Sequence, residues 1–104
     1  MESRYQGQLI KKLKRMFPDC IILKNDSSYM QGVPDLTILY GPHWATLEVK
    51  ASENAPHQPN QEWYVEQMDR MSFSAFIYPS NEDGVLYELQ QAFQHCRPAR
   101  ISER

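Results

Sequence analysis

A chain of 104 residues has room for one core and not for two. Its shares of hydrophobic residues, 41%, and aromatic residues, 12%, exclude a solvated, disordered tail. A formal net charge of −2 excludes attachment to nucleic acid by bulk positive charge alone, though not a local basic face.

In chain order, residues 2–16 read as a helix. Tyr5, Leu9, Ile10, Leu13, Met16 and Phe17 recur at helical spacing and make an apolar stripe. Lys11, Lys12, Lys14 and Arg15 fall largely off it. Pro18 stops the helix and Asp19 begins a turn. Residues 20–24 are a short strand with little alternation, and Asn25-Asp26-Ser27-Ser28 is a polar loop. Gln31-Gly32-Val33-Pro34 signals a second turn. Residues 35–40 read as a strand, Gly41-Pro42-His43 as a tight connection, and residues 44–50 as the hairpin partner. Residues 51–60 form a loop with Pro56 and Pro59. A helix is expected from Asn60, as N-cap, to Met71, with Trp63, Tyr64, Gln67, Met68 and Met71 on one face. Residues 73–78 are the last strand. Residues 82–95 form a closing helix with Val85, Leu86, Leu89 and Phe93 inward. The order α-β-β-β-α-β-α predicts one α/β domain over residues 1–96, a mixed sheet flanked by helices, with a loose tail at 97–104.

Cys20 and Cys96 form no C-x-x-C pair and complete no zinc set, so both are expected as reduced thiols. No apolar run approaches the roughly 20 residues of a membrane helix, and the polar start has no apolar leader core. The expectation is a soluble, cytoplasmic protein.

The hairpin carries the chemistry. Glu48 and Lys50 stand two residues apart on one strand and share a face. Asp35, at the mouth of the neighbouring strand, can join that face. Two carboxylates and an ammonium suit phosphodiester hydrolysis: hard oxygens hold Mg²⁺, and a positive group lies near the attacking water. Val49 faces the core, yet its backbone carbonyl can still serve as a ligand. An acid-apolar-Lys triplet alone is common, and Asp after Pro is a usual turn residue. Glu48 and Lys50 by themselves also fit a solvated strand face. The combination with Gly-x-Pro-Asp across a hairpin is the specific feature.

Gly32-Val33-Pro34-Asp35-Leu36 followed by Leu47-Glu48-Val49-Lys50-Ala51 resembles the PD-(D/E)XK nuclease superfamily, and most of all its compact VRR-NUC branch, including small phage versions. The resemblance spans roughly residues 2–80. It implies a restriction-endonuclease-like fold and a Mg²⁺-dependent DNA nuclease, with Mn²⁺ able to substitute. It implies that Asp35 and Glu48 bind the metal with help from the Val49 carbonyl, and that Lys50 orients or activates water. Gln61, in Pro59-Asn60-Gln61-Glu62-Trp63, would orient Lys50, a water or a phosphate. Glu2 would be an outer or water-mediated ligand, with Gln6 or Gln8 as alternatives for that space. A homodimer follows from the same resemblance, as does the host cytoplasm if the chain is phage-encoded.

Size leaves little room for a specificity domain, so recognition of branches, flaps or junctions is expected rather than of a base sequence. Residues 1–15 carry six charges, five of them positive, which suits a phosphate track through Lys11 and Lys12. Lys24 and Ser27 precede Asp35 and could reach a phosphate. Tyr29 and Met30 could stack on a base or pack on a partner, and Trp63 and Tyr64 read as core or dimer residues. His57 reads as a solvated loop residue, with proton donation as the alternative. His43 and His95 have no partner at zinc spacing. The rival readings are a catalytically inactive nucleic-acid-binding or scaffold domain, and a metal-free regulatory protein using the hairpin as an interaction edge.

Overall fold

The computed structural model describes residues 3–94. Glu2, His95, Cys96 and the expected tail at 97–104 lie outside the described residues. The elements follow the expected order: α1 (Arg4–Met16), β1 (Ile21–Lys24), β2 (Leu36–Tyr40), β3 (His43–Val49), α2 (Gln61–Met71), β4 (Ser74–Ile77) and α3 (Glu82–Gln94). Ser3 starts α1 by accepting a hydrogen bond from the Gln6 N–H at 3.0 Å. The helix closes where Phe17 donates to the Leu13 carbonyl, just before Pro18. Its stripe meets the core as expected, with Leu9, Leu13 and Phe17 buried.

The strands form one mixed sheet in the order β1-β2-β3-β4. β1–β2 and β2–β3 are antiparallel, the second pair joined by the short turn at residues 41–42. β3–β4 is parallel, because α2 carries the chain back between them. The register Leu36↔Leu47 and Val49↔Ile77 assigns alternate residues to two faces. One face holds Leu36, Ile38, Ala45, Leu47 and Ile77, packed with Leu9 and Leu13 of α1 and Leu86 and Leu89 of α3. At its hairpin end, Phe93 of α3 stacks on Tyr40 and His43, and Phe17 of α1 meets both Tyr40 and Phe93. Val49 packs against this core, as expected.

The other face is mixed, with Thr37, Thr46, Glu48 and Ser74 beside Ile21, Leu23, Leu39, Trp44 and Phe76. Thr46 and Ser74 join their hydroxyls there at 2.7 Å, and Met68 of α2 lies over Thr46. α2 lies over β3 and β4, which leaves the β1–β2 half of this face open. Ile21 is accordingly 57% exposed and Leu23 46%.

Two expectations for α2 are corrected. Trp63, expected as a core or dimer residue, is exposed and so not in the core, and Met71 on the same helix is exposed too. Only two strands lie beneath the helix, so Gln61 is buried, Tyr64, Val65, Gln67 and Met68 are half-buried, and Trp63 packs edge-on against Tyr64. Asn60 occupies the N-cap position but makes no side-chain cap. It adopts the left-handed region, with φ 72°. Its amide reaches the Gln31 carbonyl at 3.5 Å instead. Among the described residues, no helix is long and apolar enough to cross a membrane.

The alternation makes a stability prediction. Leu47→Ala should cost about 2–5 kcal/mol in denaturant melts, since the site is closed on all sides. Leu23→Ala, on the open half of the other face, should cost less than about 1 kcal/mol. Equal costs would mean that the strand faces are misassigned.

Candidate active site

Continuing the Leu36↔Leu47 register by one step sets Asp35 opposite Glu48, on the α2 face. Asp35 Oδ2 accepts the Val49 N–H at 2.9 Å, which fixes the carboxylate at the end of the ladder. Asn25 holds the segment from the β1 side. Its N–H donates to the Asp35 carbonyl at 2.8 Å. Its side-chain amide donates to the Pro34 carbonyl and the Thr37 hydroxyl, both at 2.9 Å. Asn25 was not among the residues singled out by sequence, since nothing in a strand-end Asn announces a cross-strand tie.

The Val49 carbonyl is also placed by the ladder. Thr46 and Lys50 donate toward β4, to Phe73 and Ile77 carbonyls, so the backbone groups of Val49 turn toward β2. The residue opposite is Pro34, which has no N–H to give. The carbonyl oxygen is therefore directed at the Asp35 end of the strand pair.

Glu48 lies in this corner, 3% exposed. Its Oε2 accepts from Gln61 Nε2 at 3.0 Å and lies 3.9 Å from Lys50 Nζ. Lys50 Nζ donates to Gln61 Oε1 at 2.7 Å and to the Pro56 carbonyl at 3.1 Å. Gln61 Oε1 also takes the Gln58 N–H at 2.8 Å. The Gln61 amide is thus a bridge between the carboxylate and the ammonium. Gly32 lets the two loops close on one another. It has φ 93°, and a Cβ there would stand 2.6 Å from the Pro59 carbonyl oxygen and 2.7 Å from Asn60 Cβ.

Glu48 Oε1 is buried with no hydrogen-bond partner. Burial first, and then the Asp35 carboxylate beside it, push the Glu48 carboxyl up from its usual 4.5 to about 8, with Lys50 offsetting only part. At neutral pH such a pair keeps a proton unless a cation replaces it. The donor set is two carboxylates and a strand carbonyl, all hard oxygens, which fits Mg²⁺ or Mn²⁺. Among the described residues, no group of three or more His, Cys, Asp or Glu gathers. A Mg²⁺ site can manage with one or two carboxylates, since that ion keeps several waters.

The other expected residues are scattered. Lys12 forms an ion pair with Glu82 of α3. Lys11 and Lys24 line a groove between α1 and β1, together with Lys14. Ser27 is exposed in a turn closed by Asp26, whose carboxylate accepts from Ser28 N–H and Oγ. Tyr29 is strongly exposed. His57 is an exposed loop residue, as expected, and it also makes two contacts. Its ring stacks on Phe76 at 4.2 Å, and Nδ1 pairs with Glu62 at 3.0 Å. Phe76 sits opposite Glu48 on β4, so the stack ties the loop over the site.

No family model, curated protein or solved structure matches this chain.

Two measurements check this geometry. Below its unfolded pKa, Glu48 is protonated in both the folded and the unfolded chain. Between about 4.5 and about 8 only the folded chain keeps that proton, so stability falls as pH rises and the loss is complete above about 8. In EDTA, the melting temperature of wild type should fall from pH 5 to pH 8.5 more steeply than that of Glu48→Gln; parallel curves would refute the shared proton. Gly32→Ala should cost about 1–3 kcal/mol in urea melts, from the left-handed backbone and the displaced 59–60 loop. A neutral effect would mean the two loops are not in contact.

Proposed function

We propose that this chain is a divalent-metal-dependent DNA nuclease of restriction-endonuclease-like fold, hydrolysing phosphodiester bonds at the Asp35–Glu48–Lys50 corner. The observation that carries this reading is the Glu48 carboxylate. It is buried against a second carboxylate, with one oxygen lacking a partner, and a lysine is fixed beside it. A solvated strand face would leave both carboxylates in water. A purely structural ion pair would not add Asp35 to Glu48.

Asp35, Glu48 and the Val49 carbonyl would hold Mg²⁺ or Mn²⁺. When bound, such an ion supplies a Lewis acid for the phosphate and lowers the pKa of a water molecule. The chain's own residues do the rest. Asp35 is kept in place by the Val49 N–H and by Asn25 behind it. Gln61 and Pro56 occupy two of the three donor positions of Lys50 Nζ, and the third is available to a water or a phosphate oxygen. Lys50 there offsets charge that grows on phosphorus-bound oxygens. Gln61 bonds both Lys50 and Glu48, which also form an ion pair at 3.9 Å. Substrate selection by DNA structure, at branches, flaps or junctions, rests on the small size of the domain.

The test is a panel of linear, flapped and four-way-junction DNA with Mn²⁺, run with Lys50→Ala and Glu48→Ala. Each variant should lose roughly 10²–10³-fold in rate. In parallel, Mn²⁺ should raise the melting temperature of wild type by mass action and leave Asp35→Ala unmoved. Equal cutting by the variants would place the activity elsewhere. No cutting of any substrate would favour an inactive nucleic-acid-binding domain.

A further inference from the structure

A groove of about 330 Å³ runs between α1 and β1, lined by Gly7, Ile10, Lys11, Lys14, Ile22 and Lys24. Three of its six residues are lysines and none is acidic. The α1 members recur at three- and four-residue spacing, so they form one edge of that helix. Ile22 and Lys24 stand opposite Ile38 and Leu36 of β2, which places them on the α1 face of the sheet. Asp35 and Glu48 lie on the other face. The groove therefore gathers cations from two elements that sequence separates by about ten residues, in a chain whose net charge is −2. Lys12, between Lys11 and Lys14 in sequence, is drawn away to Glu82.

We propose that this groove holds a run of DNA backbone by its phosphates, behind the sheet face that carries the carboxylates; the inference rests on DNA being the substrate. Lysine ammonium groups are point charges without a fork, which suits phosphate contact and not base reading. Ile10 and Ile22 supply an apolar wall for sugar. A polymer of phosphates, rather than a single anion, is favoured by position. Lys24 leads directly into Asn25, whose N–H holds the Asp35 carbonyl at 2.8 Å. The groove thus ends beside the strand end where Asp35 stands, and one strand of DNA can engage both. Such wrapping gives a preference for bent or branched DNA over a straight duplex, because the two contacts lie on opposite faces.

The experiment is fluorescence anisotropy of labelled junction and duplex DNA in EDTA, where no cutting occurs, from about 50 to 200 mM salt. Lys11→Ala/Lys14→Ala should reduce the slope of log affinity against log salt by about two. It should also weaken binding by the same factor across unrelated sequences. Arg15→Ala/Arg70→Ala removes the same charge outside the groove and should keep the wild-type slope. An unchanged slope in the lysine variant, an equal loss in the arginine control, or no DNA binding by wild type would each overturn the proposal. The Mn²⁺ melting shift, read on the same lysine variant, separates the two ideas. A retained shift with an unchanged slope removes the groove and leaves the metal site. A missing shift in wild type with a reduced slope in the variant removes the metal site and leaves the groove.

Discussion

Asp35 and Glu48 stand opposite one another across the β2–β3 ladder, where Glu48 has almost no access to water. Like charges held this way oppose folding when both are ionised, and desolvation adds to the cost. A fold does not keep such a pair unless something offsets it. Here the offset is partial. Lys50 is near but engaged by Gln61 and Pro56, and Gln61 satisfies one Glu48 oxygen while the other has no partner. The corner therefore holds a buried carboxyl whose pKa is pushed up to about 8.

The rest of the structure can be traced from that corner. The tight hairpin sets Asp35 against Glu48 in register. The crossover through α2 brings Gln61 back over the end of β3, and Gly32 allows the 30–34 segment to lie against the start of α2. The His57–Phe76 stack anchors the loop that supplies the Pro56 carbonyl and the Gln58 N–H. At the far end of the hairpin, Phe17, Tyr40, His43 and Phe93 lock β2 and β3 to α1 and α3. The site is thus set on strands whose opposite ends are clamped, which is how a site holds its geometry.

The two sheet faces divide the labour. The α1–α3 face is apolar and carries the core. Over β3 and β4 the α2 face carries, beside Trp44 and Phe76, a hydroxyl pair and a carboxylate bonded to an amide under the helix. Buried polar groups of this kind are tolerated only when nearly all are paired, and nearly all are. The exception, Glu48 Oε1, is therefore informative.

Much of the architecture was legible in the sequence, because the signals are local. Apolar spacing defined α1 and α3, Pro18 and Gly41-Pro42 ended elements, and a two-residue spacing put Glu48 and Lys50 on one face. That Asp35 joins them follows from hairpin register, which short turns constrain. Other features depended on contacts between distant segments. Spacing put Trp63 and Met71 on one helix face, but only the width of the sheet under α2 decided that they are exposed. Lys11, Lys12 and Lys14 look equivalent in sequence; Glu82 of α3 takes Lys12, and β1 makes a groove of the others. Asn25 gave no signal, and the stack of His57 on Phe76 could not be read either, since the partners Pro34, Thr37 and Phe76 reach these residues only through the folded sheet. Sequence determined the order of elements and which residues share a strand or helix face. Tertiary structure decided which groups are shut away from water and which meet, because desolvation and long-range pairing exist only once the core has closed.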